Sequence, residues 1–125
     1  MSRQPTFDHE KLDVYQLAVE FARWVGEIVD GPLANCTAKS LEHLDESSRS
    51  VARNIAEGKG KRSSKDRCRY LDIARGSALE CAASLDIWVA RGRLDEGLAR
   101  QGKAMLVRVV SMPVKLVDKL LGCPV

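Results

Sequence analysis

Apolar residues recur at three- and four-residue steps along four stretches of this chain. That period is helical, and it constrains the fold more than any other feature. The first stretch covers residues 8–30, where Val14, Ala18, Phe21, Val25 and Ile28 form a stripe widened by Tyr15, Ala22 and Val29; Gly31-Pro32 ends it. The second covers residues 38–57, with Leu41, Leu44, Ser48, Val51 and Ile55 on one face, and Gly58 and Gly60 as its stop. The third, residues 64–90, opens on Ser63-Ser-Lys-Asp66, a capping sequence in which Ser63 accepts from an orphan backbone donor and Asp66 favours the positive helix end. The fourth covers residues 95–121, and Pro113 is expected to kink or break it.

The third and fourth stretches each carry two seams. On the third they are Leu71, Ala74, Ala78, Cys81, Leu85, Trp88 and Tyr70, Ile73, Ser77, Glu80, Ser84, Ile87. On the fourth they are Leu98, Met105, Val109, Met112, Leu116 and Leu106, Val110, Pro113, Val117, Leu120. No strand-like alternation or internal repeat competes with these patterns. Short breaks between long helices predict an all-α, antiparallel up-down four-helix bundle, with 125 residues forming one domain across 1–125. Aromatics are only 5% of the chain, so aliphatic packing must dominate. The wide third and fourth stripes leave apolar surface for self-association, and a homo-oligomer is expected.

The cysteines are Cys36, Cys68, Cys81 and Cys123. None forms a CxxC pair, and His9 and His43 lie far from them, so no metal site of usual spacing is expected. Met1-Ser-Arg-Gln-Pro-Thr lacks the apolar run of a secretory signal, and no stretch reaches membrane-spanning length. The expectation is a cytoplasmic protein with reduced thiols, no cofactor and no membrane contact.

Charge is unevenly placed. Residues 49–75 hold nine basic groups against three acidic ones, a net +6, while the remainder holds eleven against fourteen, a net −3. The basic block straddles the break between the second and third helices, where Gly58-Lys-Gly-Lys-Arg-Ser-Ser-Lys65 combines mobile backbone, cations and a helix N-terminus. Such a corner can hold an anion. It fails the spacing of a nucleotide-hydrolysing loop, and no strand precedes it. Phosphate contacts of RNA or DNA remain the fitting chemistry, salt-dependent and sequence-blind. Lys59, Lys61, Arg62, Lys65 and Arg69 would carry the charge, with Arg49 and Arg53 secondary. Only Tyr70 interleaves the cluster, which gives little support to base stacking.

Catalytic parts are few: neither histidine has a nucleophile or orienting acid near it in sequence, and no enzyme is expected. Asn54, Glu57, Arg75 and Glu80 are expected to form a structural polar cluster between the two middle helices. The rival to nucleic-acid binding is a scaffold that docks another protein, its basic block incidental.

Asn54-Ile-Ala-Glu-Gly58, Gly60-Lys-Arg62 and Arg69-Tyr-Leu-Asp-Ile-Ala-Arg-Gly-Ser77, with Glu80 and Leu85, resemble the four-helix-bundle family of proteins encoded by intervening sequences in bacterial 23S ribosomal RNA genes. Phe7 followed by Leu12-Asp-Val-Tyr15 and Ala18 fits the same pattern, so the resemblance spans residues 7–90. It implies a bundle that assembles as a ring-shaped homopentamer, and kinship with the accessory proteins of diversity-generating retroelements, which bind nucleic acid and a reverse transcriptase. The family's own biochemical role is poorly defined. One departure bears on the surface: where relatives often carry Gln-Leu-Arg-Arg-Ala-Ala, this chain has His43-Leu-Asp-Glu-Ser-Ser48, with Asp45 and Glu46 in place of two arginines.

Overall fold

Four α-helices follow a short 3-10 turn (Asp8–Lys11): α1 (Asp13–Asp30), α2 (Ala38–Gly60), α3 (Ser64–Ala90) and α4 (Glu96–Leu116). This computed structural model describes residues 6–116, with side chains described as far as Ser111, and no strand occurs among them. Each helix packs on its chain neighbours and α1 packs on α4, so the four close around one core. The α2–α3 register is antiparallel: His43 meets Glu80, Ser50 meets Ser77, and Gly58 lies against Arg67 and Leu71.

The α3 seam of Leu71, Ala74, Ala78, Cys81, Leu85 and Trp88 is the buried face of that helix, as its spacing predicts. It shares one core with Val14, Ala18, Phe21, Trp24, Val25 and Ile28 of α1 and Leu44, Val51, Ala52 and Ile55 of α2. The second α3 seam stays outside the core, with Ile73 and Ile87 exposed. On α4 the buried face is Ala99, Gly102, Leu106 and Val109, between the two expected seams. The ends of α3 follow local chemistry. Ser63 Oγ accepts from the Asp66 backbone N–H at 3.1 Å. At the other end Gly92, at φ 70°, lets its own N–H reach Val89 O and the Arg93 N–H reach Trp88 O, both at 2.9 Å.

Three boundaries differ from the sequence reading. The first helix does not run unbroken from residue 8. Phe7 donates its backbone N–H to Glu10 Oε2 at 2.7 Å, which fixes a tight turn, and Leu12 is extended before α1 begins. The second helix passes through Gly58 and ends at Gly60. Gly58 is buried, and a Cβ there would lie 3.2 Å from Arg67 O and 3.2 Å from Tyr70 Cβ. The glycine serves close approach to α3, and that packing offsets its backbone entropy cost of about 1 kcal/mol. The fourth helix continues past Pro113 to Leu116; near its end, a proline forfeits little more than the bond to the carbonyl four residues earlier. Val117, Leu120 and the rest of the expected 117–121 extension lie outside the described residues, as do the side chains of Met112, Pro113 and Leu116.

Cys81 is free and fully buried, and Cys36 is free and half-buried. Burial, then the charge of Glu80, pushes the Cys81 thiol up to about 12 from 9.0. The folded state therefore holds this proton more tightly than the unfolded chain. The stability gained is full below about pH 9 and is lost as pH rises towards 12. Cys68 lies in the first turns of α3. It sits at a half-covered position, unlike the sealed Cys81. Among the described residues, no helix is long and apolar enough to cross a membrane.

Candidate nucleic-acid interface

The basic corner is built by the three-residue link from α2 to α3. Lys61 is extended after the last turn of α2, and its carbonyl accepts from Arg67 Nε at 2.5 Å, tying the link to the first turns of α3. Half-buried Tyr70 sits beneath: Lys61 Nζ lies 5.0 Å and Arg69 Cζ 5.4 Å from its ring centre. Tyr70 therefore packs and positions cations.

The predicted cations divide by their partners. Arg49 meets Glu46 at 3.0 Å and Asp45 at 3.6 Å, and Arg53 also pairs with Glu46. Asp45 and Glu46 thus neutralise the two basic residues that follow them on α2. Lys61 pairs with Glu57 at 3.3 Å. Lys59, Arg62 and Lys65 make no ion pair with any described residue, and Arg62 and Lys65 are exposed. Exposed ion pairs add little stability, about 0–1 kcal/mol. They do cancel local field, so the net positive potential of the corner rests on Lys59, Arg62, Lys65, Arg67 and Arg69. The first backbone N–H groups of α3 lie beside them.

The expected polar cluster of Asn54, Glu57, Arg75 and Glu80 does not assemble. Asn54 Nδ2 donates to Ser50 O at 2.8 Å and to Ser50 Oγ at 2.9 Å, and Ser50 Oγ meets Ser77 Oγ at 2.9 Å across α2 and α3. Glu57 turns to Lys61. Glu80 pairs with His43 at 2.8 Å towards the opposite end of α2. Arg75 is exposed. The cause is register: facing residues on α2 and α3 carry numbers that sum to nearly the same value, which sets Glu57 beside Tyr70 and Glu80 beside His43. The serine bridge and the His43–Glu80 pair escaped sequence reasoning for the same reason. Among the described residues, no three His, Cys, Asp or Glu side chains gather to hold a metal ion.

A cleft of about 510 Å³ opens beside the corner, where the N-terminal turn crosses the last turns of α2. Phe7, His9 and Tyr15 line one side, and Arg53, Glu57, Gly60 and Lys61 line the other. Phe7 stacks on His9 at 5.6 Å and 14°, and Tyr15 meets His9 edge-on at 4.6 Å and 71°. These aromatics stand apart from the basic block in sequence and meet it only through the fold.

The family model described as 23S rRNA-intervening sequence protein matches residues 10–115. Among solved structures, a protein of unknown function from the S23 ribosomal protein family of Bacteroides thetaiotaomicron superposes with a TM-score of 0.77 at 16% identity. The match covers 85% of this chain and 99% of that one, and at this identity it speaks for the fold alone. Among curated proteins, none matches.

Proposed function

The chain belongs to the 23S rRNA-intervening sequence protein family, and from that premise we propose that it is a non-catalytic, self-associating bundle that binds RNA or DNA through phosphate contacts at the α2–α3 corner. The observation that carries this reading is the division of the cations. Arg49, Arg53 and Lys61 face carboxylates, whereas Lys59, Arg62 and Lys65 have none among the described residues. Repetition of the corner around an oligomer would turn weak contacts into useful avidity.

The test is a titration with generic single- and double-stranded RNA and DNA across salt concentration. Three phosphate contacts give a slope of log affinity against log salt of about −3 on a duplex. A flat slope, or no binding at low salt, removes the reading and leaves a protein-docking scaffold.

Exposed apolar residues on both flanks of the buried α3 stripe support self-association. Leu79 is 56% and Val107 65% exposed, and they border a shallow groove between α3 and α4 with Ala82 and Val110. Ile73 and Ile87 lie on the other flank of the buried α3 stripe. Unlike surfaces pair head to tail, and such contacts close into a ring where the rotation between copies permits; the proposed ring has five copies. Light scattering at tens of micromolar should then read close to five times the 13.8 kDa chain; a monomer at that concentration overturns the ring.

A further inference from the structure

We propose that the cleft between the N-terminal turn and α2 holds one unstacked base of a single strand, with the neighbouring phosphates on Lys59, Arg62 and Lys65. The inference rests on nucleic-acid binding at the corner and adds the form of nucleic acid preferred there. Phe7 is 72% exposed although it is a large apolar ring. It is not loose: His9 supports it in a near-parallel stack, and Tyr15 buttresses His9 edge-on. The result is a backed aromatic platform, which is what stacking on a base requires. The cleft's 510 Å³ suits a nucleotide-sized occupant.

Charge decides which part of the nucleotide goes inside. Arg53 and Lys61 of the cleft wall are already paired, with Glu46 and Glu57. A phosphate placed in the cleft would meet the Glu57 carboxylate. A neutral base would meet both a donor, the Arg53 guanidinium, and an acceptor, Glu57, against its polar edge. The cations without carboxylate partners flank the cleft in the chain: Lys59 precedes Gly60 and Arg62 follows Lys61. The base therefore enters and the phosphates stay outside. A duplex keeps its bases stacked and paired and cannot offer one without opening.

The test compares the full-length protein with Phe7→Ala, by fluorescence anisotropy, on a short single-stranded RNA, the matched duplex and an abasic strand. Phe7 contributes nothing to the buried core, so circular dichroism should show unchanged helix. The wild type should favour the single strand over the other two, and Phe7→Ala should weaken that binding about tenfold while leaving duplex and abasic binding unchanged. Equal wild-type affinity for all three, or an equal loss on all three, overturns the cleft and leaves phosphate binding at the corner standing. Displacement of the strand by equimolar AMP would assign the cleft to a free nucleotide and overturn the proposal. No binding to any of the three removes both readings.

Discussion

Neutralising Arg62 and Lys65 together, as Arg62→Gln with Lys65→Gln, is expected to weaken nucleic-acid binding about a hundredfold at low salt. A phosphate contact at roughly 0.1 M salt contributes close to tenfold through counterion release, and the variant removes two. The slope of log affinity against log salt should fall by between one and two. The informative comparison is Arg49→Gln with Arg53→Gln, which changes net charge by the same amount. Those two guanidiniums already face Asp45 and Glu46, so the expected loss is less than about threefold, with the slope unchanged. If the two variants weaken binding equally, the protein is responding to net charge, and the corner is not a site. Neither variant touches the buried core, so thermal unfolding should move little in both. Arg62→Glu with Lys65→Glu should take binding below detection.

The part of this surface that was legible in the sequence is the part set by local spacing. The α3 core face shows as six residues at three- and four-residue steps, and the Ser63 cap shows as a tetrapeptide. The neutralisation of Arg49 was in reach as well, since Asp45 and Glu46 precede it by four and three residues. What could not be read depends on which residues the fold makes neighbours. Gly58 carries the same letter whether it ends a helix or admits another, and only its contact with Arg67 and Tyr70 separates the two. The four polar residues expected to cluster lie on plausible faces, but a hairpin register a few residues away sends Glu57 to Lys61 and Glu80 to His43. Phe7, His9 and Tyr15 belong to a segment more than thirty residues from Arg53 and Lys61. Helical period carries no information about that crossing, because the extended Leu12 breaks the period where the aromatics sit.

Gly102→Ala is expected to destabilise the protein by about 1–2 kcal/mol, although the same change in an exposed helix stabilises by about 1 kcal/mol. Gly102 is buried on α4. A Cβ there would fall against Cη2 and Cζ3 of Trp24, closer than real Cβ atoms approach, and 3.1 Å from Cε3. The indole cannot swing aside cheaply: it is 8% exposed and stacks on fully buried Phe21 at 5.8 Å. Overpacking of this kind costs about 1–3 kcal/mol, which outweighs the gain in helix propensity. Gly102→Val adds two further methyl groups and a β-branch, and should cost at least about 3 kcal/mol. Gly76, exposed on α3 with nothing within 4 Å of its virtual Cβ, supplies the opposite sign: Gly76→Ala should stabilise by about 1 kcal/mol. Urea unfolding reads all three as shifts in midpoint at constant slope. The contact itself is isolated by Trp24→Phe, whose smaller ring withdraws the clashing edge. In the double variant Trp24→Phe with Gly102→Ala, the alanine should cost less than it does alone, a favourable coupling of about 1 kcal/mol. Equal stabilisation by Gly102→Ala and Gly76→Ala would mean that α4 does not press on α1 at this register. The bundle would then be open on that side, and the α3–α4 groove offered for self-association would have a different shape.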